Sequence, residues 1–510
     1  MKRLMSAIVV LTAAACIPAM AQAPDTAWVR SYNGPADGDD QGTGCAVDAL
    51  GNLYVTGISH NGTNYDFLTV KYSTATGETL WTRRYNGPAD GNDAGVRCAV
   101  DNSGNLYVTG ASYDGTNEDD YLTIKYNAAT GDTLWTRRHG ALGDISNKAN
   151  GCAVGGPGYL YVTGSSTDGS GNGDYLTLKY DAATGDTLWT RKYEGPAGGD
   201  DEAHDCATDP SGNLFVAGYS FNGTDYNLLT VKYAPNGDTI WTRRSANTLD
   251  DQDREMAGCA TDGSGNVYVT GMCGLNAGYQ NRYSVTIKYG PSGELLWTRI
   301  YDGPTNYDAT MGCAVYPTGI AIYVTGTTFT GGPHDRFLTV CYDADSGSLG
   351  WDVSYLSSPG RTEYSIGCAV DSAGDLYVSG VSFDTLTWIG DYQVIKYNTA
   401  LGVAGGPGSA MRIEGVRLEA NTPNPFRRTT TIRYQLANPG RMSLKVYNAA
   451  GQCVRDLTPP SPPLEGRDSW VGSVVWDGRD NQGGRVASGV YLYRLEAGGE
   501  AATGRMAVVR

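Results

Sequence analysis

Residues 98–138 read CAVDNSGNLYVTGASYDGTNEDDYLTIKYNAATGDTLWTRR, four short runs rich in Val, Thr, Tyr and Leu with Gly-containing turns between them. Runs of this length and composition form an antiparallel meander. Strand A is expected at Cys98–Asp101, B at Leu106–Ser112, C at Tyr121–Tyr126 and D at Thr133–Arg138. The same unit recurs over residues 28–397. Its landmarks are Cys45, Cys98, Cys152, Cys206, Cys259, Cys313 and Cys368, and Tyr72, Tyr126, Tyr180, Tyr233, Tyr289, Tyr342 and Tyr397.

One four-stranded sheet buries too little surface to stand alone, so a repeat of this kind implies stacked blades. Trp81, Trp135, Trp189, Trp241, Trp297 and Trp351 mark six D strands. The seventh copy has A, B and C strands but no D strand after Tyr397. The stretch Trp28–Pro35 (WVRSYNGP) near the other end matches Trp81–Pro88 (WTRRYNGP) and supplies it. The fold expected over 24–397 is therefore all-β: a seven-bladed β-propeller, its ring closed by the N-terminal strand, which hides an edge open to aggregation. The A–B and C–D turns share one face. The longer B–C and D–A connections share the other, where a glycan or protein ligand would bind.

The chain has 510 residues and a net charge of −16, which disfavours nucleic acid as a partner. Residues 1–23 read as a signal peptide: Lys2 and Arg3, an apolar stretch from Met5 to Ala15, then small-residue cleavage sites at Ala21 or Ala23. Lipidation at Cys16 is the alternative. No later stretch approaches the ~20 apolar residues of a membrane helix, so an exported monomer, secreted or on the cell surface through a Gram-negative-type periplasm, is expected. Residues 398–411 form a Gly-rich linker. Over 412–510, alternation at Ile432, Tyr434 and Leu436, at Met442, Leu444 and Val446, and at Val490 and Leu492 reads as a small Ig-like β-sandwich.

With Gly-Asn-Leu-Tyr-Val-Thr-Gly at 51–57 and 104–110 and the later Lys-Tyr and Leu-Trp landmarks, residues 28–397 resemble the bacterial beta-propeller repeat (SBBP) family. That family brings no catalytic residues. The hairpin Tyr180–Trp189 is similar to the repeats of quinoprotein propellers. The C-terminal motifs are Asn424-Pro425-Phe426, Thr430–Tyr434, Leu444–Asn448, Trp476-Asp477-Gly478 and Ser488–Leu495. They resemble the sorting domains of type IX secretion substrates and the Ig-like domain of flagellar hook-capping proteins. That resemblance implies an address read by the secretion machinery; a plain Ig-like stalk is the alternative. The sequence Pro459-Pro460-Ser461-Pro462-Pro463 departs from the pattern by enlarging a loop that is usually compact.

The candidate chemistry is sparse. The seven repeat cysteines fit buried free thiols better than disulfides, although a Cys259–Cys273 pair is open. Five positions before each repeat cysteine stand Asp40, Asp93, Asn147, Asp201, Arg254, Asp308 and Glu363. Carboxylates there either ligate calcium or accept backbone N–H bonds and lock the loop. Asp168, Ser170, Asn172 and Asp174 have the spacing of half a calcium loop, without its distal Glu. Asp114, Asn117, Asp119 and Asp120 form a similar cluster. His60, His139, His204 and His334 fall in unrelated places, and Tyr113, Tyr307, Phe329 and Trp388 lie in or beside the irregular loops. No nucleophile, metal or phosphate motif is present, and no cofactor other than calcium is expected. The expected function is a non-enzymatic surface or extracellular binding or structural module. The alternative is a propeller lyase or glycosidase, or a quinoprotein dehydrogenase.

Overall fold

The computed structural model describes residues 23–509 apart from 117–118, 141–143, 157, 246–257, 275–281, 304–307, 330–333, 400–415, 419–425, 437–441, 449–451, 459–469 and 498–499. The signal segment with Cys16, the linker over 400–411, the Pro459–Pro463 loop, Arg254, Tyr307 and the pair Asn424-Pro425 lie outside the described residues. Every element among the described residues is a β-strand, and no helix there is long and apolar enough to cross a membrane. Two compact units emerge, 23–399 and 416–509.

The first unit holds seven four-stranded antiparallel sheets, of the kind that form propeller blades. Strand β1 (Asp25–Tyr32) comes first in the chain but belongs to the last sheet. The first sheet is β2 (Asp40–Val47), β3 (Asn52–His60), β4 (Tyr65–Ser73) and β5 (Thr79–Tyr85). The second is β6 (Asp93–Val100), β7 (Asn105–Tyr113), β8 (Asp119–Asn127) and β9 (Thr133–His139). The third is β10 (Asp144–Gly155), β11 (Tyr159–Asp168), β12 (Gly173–Asp181) and β13 (Thr187–Tyr193). The fourth is β14 (Asp201–Thr208), β15 (Leu214–Phe221), β16 (Tyr226–Tyr233) and β17 (Thr239–Arg244). The fifth is β18 (Gly258–Thr261), β19 (Val267–Gly274), β20 (Arg282–Tyr289) and β21 (Leu295–Tyr301). The sixth is β22 (Asp308–Val315), β23 (Ala321–Phe329), β24 (Asp335–Asp343) and β25 (Leu349–Tyr355). The last is β26 (Arg361–Val370), β27 (Leu376–Asp384) and β28 (Gly390–Asn398), completed by β1. Strand β1 pairs antiparallel with β28, with Asp25 opposite Asn398 and Tyr32 opposite Tyr392.

Each apolar core of this unit straddles two sheets. Tyr54 and Phe67 of the first pack with Leu106, Val108 and Ile124 of the second. The succession runs on until Val378 and Ile395 of the last sheet meet Tyr323 and Trp351 of the sixth. Leu53 and Val55 then pack with Tyr377, Tyr392 and Val394, joining the first sheet to the last. The packing is therefore cyclic, as a sheet with one apolar face left over would require.

The strand reading needs one correction. Strand β6 starts at Asp93, five residues ahead of the expected Cys98. The upstream half hid in the sequence because a β-bulge interrupts its alternation, with the register shifting between Gly95 and Arg97. The same shift recurs between Gly42 and Gly44, Ala203 and Asp205, and Thr310 and Gly312.

The second unit has two antiparallel sheets. One contains β29 (Val416–Leu418), β30 (Thr430–Leu436) and β33 (Trp470–Trp476). The other contains β31 (Met442–Tyr447), β32 (Cys453–Asp456), β34 (Gly489–Ala497) and β35 (Glu500–Val508). They share one core of Phe426, Ile432, Met442, Leu444, Val446, Trp476, Tyr491, Tyr493, Leu495 and Met506. In β34 the inward face is Tyr491, Tyr493 and Leu495, whereas Leu492 is 41% exposed. Both parities of Val-Tyr-Leu-Tyr are apolar, so alternation alone was ambiguous there, and a one-residue shift exchanges the faces.

Candidate ligand face

On the face of the short turns, the repeat spends its cations and tryptophans on the neighbouring sheet. Trp81 Nε1 and Lys71 Nζ both donate to the carbonyl of Ala128 in the next C–D hairpin, at 3.3 and 2.9 Å. Arg83 Nε donates to Gly131 O at 2.8 Å and its second nitrogen to Thr130 O at 2.6 Å. The guanidinium also lies 5.5 Å from the Trp81 ring centroid. Trp28, Lys396 and Arg30 make the same clasp onto Thr74, Thr76 and Gly77. Strand β1 thus binds the first sheet as β5 binds the second.

On the opposite face the acids do the corresponding work. Asp40, Asp93, Asp201 and Asp308 are fully buried. They accept the amides of Gly34, Gly87, Gly195 and Gly303 at 2.5–2.6 Å. Glu363 does the same for Ser357 at 3.0 Å. The lock reading of this position holds in these five sheets. Burial pushes each of these carboxyls up. The preceding residue ties the loop to the sheet before it: Asp39 accepts from Gly390 N at 3.0 Å, Asn92 from Tyr65 N at 3.1 Å and Asp200 from Gly173 N at 3.1 Å.

The four proposed calcium residues fill repeat roles in the third sheet. Asp168 accepts from the amide and hydroxyl of Ser170, at 2.8 and 2.5 Å, as Asn61 and Asn222 accept from Thr63 and Thr224. These bonds hold the Asp168 carboxyl below its usual range. Asn172 donates to Gly198 O as Asn64 does to Asp90 O. Asp174 pairs with Lys192 at 2.7 Å, as Asp66 pairs with Arg84 and Asp120 with Arg138. Among the described residues no group of three His, Cys, Asp or Glu side chains is placed to hold a metal.

The inner strands converge on a pair that sequence reasoning missed. The residue before the repeat cysteine is Gly44, Gly151, Gly258, Gly312 or Gly367 in five copies, but Arg97 and Asp205 in the other two. Glycine is needed because neighbouring inner strands touch: a Cβ on Gly44 would lie 2.7 Å from Val96 O, and one on Gly151 2.8 Å from Asp205 Cα. Arg97 of the second sheet reaches Asp205 of the fourth at 4.0 Å. It also donates to Thr43 O of the first at 2.6 Å and to Met311 O of the sixth at 3.5 Å. Asp205 accepts from the amides of Cys206 and Cys259 at 2.9 and 3.1 Å. Burial pushes its carboxyl up and Arg97 draws it partly back. One guanidinium therefore joins its own sheet to three others. Beside it, Glu202 accepts from Tyr219 Oη at 2.6 Å and from Asn150 Nδ2 at 3.1 Å, and His204 stacks on Tyr219.

The histidines are not brought together: His60, His139 and His204 sit in the first, second and fourth sheets, and His334 just before β24. Tyr113 and Phe329 end β7 and β23 and are half-buried. Trp388 is 64% exposed and sits at φ +56° in the B–C turn of the last sheet, in company with the exposed Leu386. The corresponding turns place Gly62, Gly115 and Gly223 at positive φ. A bulky side chain held there costs energy that the surrounding turn must supply. The repeat cysteines are free thiols, as is Cys453. Burial pushes the Cys45 thiol up to about 12.

Three solved structures share similarity at low identity. PorZ, a surface component of the type-IX secretion system of Porphyromonas gingivalis, aligns at 16% identity with TM-score 0.46, over 94% of this chain and 60% of that one. The chain thus spans about three fifths of that protein. The polysaccharide lyase Uly1 aligns at 14% identity and TM-score 0.46, over 70% of this chain and 90% of that one. Chaetomium thermophilum Sqt1, bound to the N-terminus of ribosomal protein L10, aligns at 10% identity and TM-score 0.46, over 74% and 100%. No curated protein matches the chain. The family model that matches is described as outer membrane protein assembly factor BamB, and it covers residues 25–255 of this propeller-type repeat.

Proposed function

We propose that the chain is an exported, non-enzymatic binding module. Residues 24–397 form a seven-bladed β-propeller and residues 412–510 an Ig-like domain that directs secretion or surface attachment. The observation that carries this reading is where the repeat spends its chemistry. Its Trp, Lys and Arg bond to backbone of the next sheet, and its buried acids bond to loop amides. The repeat is scaffold, and what differs between copies lies on the B–C and D–A loops and at the centre. Such a rigid ring with variable loops suits the display of a glycan- or protein-binding face. The family match to an outer membrane assembly factor supports a place in the envelope. Calcium at Asp168, Ser170, Asn172 and Asp174 is an accessory part of the proposal. It requires Asp174 to leave Lys192, so calorimetric titration of the wild type against Asp174→Asn tests it.

The main test is terminal mapping of protein from the native cell-surface fraction, joined to a glycan array, a turnover screen and cofactor absorbance. Cleavage after Ala21 or Ala23, loss of about residues 411–510, and glycan or protein binding without turnover are expected. Polysaccharide turnover or a quinone spectrum would replace this reading with the lyase, glycosidase or dehydrogenase.

A further inference from the structure

Among the described residues, six seams between sheets carry the clasp described above, and the seam between the sixth and the last sheets is built without it. Trp135, Trp189, Trp241 and Trp297 donate to Ala182, Pro235, Pro291 and Ala344 of the following hairpins. Lys125, Lys179, Lys232 and Lys288 converge on the same carbonyls. In the sixth sheet, Cys341 and Val353 stand where the other copies have Lys and Arg. The last sheet has no C–D hairpin to receive a clasp, because its fourth strand enters from the other end of the chain. Lys and Arg are missing where the hairpin is missing, and Trp351 alone of the three remains, in the core shared with the last sheet.

Strand β1, by contrast, carries Trp28 and Arg30 onto the first sheet. The three strands β26–β28 are therefore held against the sixth sheet by packing and by loop-face bonds such as Asp335 N to Thr362 Oγ1 at 2.9 Å. On the other side they are held by pairing with β1, and to the first sheet by Lys396 Nζ to Thr74 O at 3.1 Å, Gly390 N to Asp39 Oδ1 at 3.0 Å and the core shared with Leu53 and Val55. Because β28 has its own bond to Thr74 and its own share of the core with the first sheet, the β28 edge and the Thr74–Gly77 hairpin stay together when β1 lifts away.

We infer that β1 is an exchangeable strand. The edge of β28, with the carbonyls of Thr74, Thr76 and Gly77, is a receptor for an extended Trp-x-Arg segment, filled in cis by β1 and in trans by the β1 of a second copy. The ladder with β28 gives the affinity of an added strand, and the Trp and Arg clasp gives its selectivity. This rests on the ring proposed above.

The test uses the full chain and a labelled peptide of residues 24–36, under mild denaturant in which the far-ultraviolet spectrum stays native. Uptake of the peptide is expected, with about tenfold or greater loss for a peptide carrying Trp28→Ala and Arg30→Ala, since several bonds go with them. In hydrogen exchange, amides of β1 and β25–β28 should open ahead of those of β5–β9. Equal uptake of both peptides, no uptake of either, or equal protection at every seam overturns the inference. If the ring itself is wrong, β1 amides are unprotected from the start. If only exchange is wrong, β1 is as protected as β5 and takes up no peptide.

Discussion

Replacing Arg97 with glycine installs the residue that five other copies carry at that position, yet it should be among the more damaging changes in the first unit. Arg97 and Asp205 side chains are only 13% and 15% exposed, so removing the cation strands a nearly buried carboxylate. Breaking a buried pair costs about 3–5 kcal/mol. Asp205 keeps its two backbone donors, Cys206 N and Cys259 N, which lowers the expected loss to about 2–4 kcal/mol. With about 2.1 cal/mol/K of unfolding entropy per residue over a unit of this size, that is a fall of roughly 3–5 °C in Tm. Arg97→Gly with Asp205→Gly should recover most of it, because the double variant removes both charges and restores the repeat's own packing.

The pH dependence has a definite sign. Burial already raises the Asp205 carboxyl and Arg97 opposes that, so the single variant raises it further. A carboxyl raised on folding costs nothing below its unfolded pKa, and the cost grows as pH rises to the folded value. The gap between Arg97→Gly and wild type should therefore narrow in acid and widen towards neutrality. Scanning calorimetry from acid to neutral pH reads this directly. A double variant that loses the sum of the two singles, or a pH-independent gap, would show that Arg97 and Asp205 are not coupled.

Arg137→Ala removes bonds to Gly185 and Thr184 across one seam and should cost about 1–2 kcal/mol in denaturant unfolding, whereas Val353→Arg, with no hairpin to grip, should stay within about 0.5 kcal/mol. Asp93→Ala should cost about 1–3 kcal/mol by orphaning Gly87 N, while Asp93→Asn, the residue the third copy carries as Asn147, should be mild. Because the Asp93 carboxyl is raised by burial, wild type should gain on Asp93→Asn as pH falls through its folded pKa. For the thiols, a disulfide-exchange reagent at mildly alkaline pH should label the exposed Cys453 in native protein. The buried repeat cysteines Cys98, Cys152, Cys206, Cys259 and Cys313 should react only on unfolding, and fast labelling of Cys98 or Cys206 would contradict their burial.

Much of this architecture was legible because a repeat is its own control. Seven landmark cysteines, and a displaced Trp28 segment matching Trp81–Pro88, carried the sheet count and the closing strand. The loop locks at Asp40 and Asp93 were readable as turn chemistry. The upstream half of each A strand was not, because a bulge and glycines erase its alternation. Arg97 and Asp205 were also missed, although the signal was present: two charges in a column of five glycines. In β34 the outward-facing Leu492 misled, since the charges that mark its parity, Arg494 and Glu496, come only at the end of the strand.

A closed ring requires the two ends of the first unit to meet in one sheet. Asp25 and Asn398 are register partners at that junction, so a variant carrying Asp25→Cys and Asn398→Cys should form that disulfide under mild oxidation, with peptides from both ends joined in a non-reducing digest. The linked pair should appear in monomeric protein. Efficient oxidation that links position 25 to other sites, or never to 398, would contradict the closed ring.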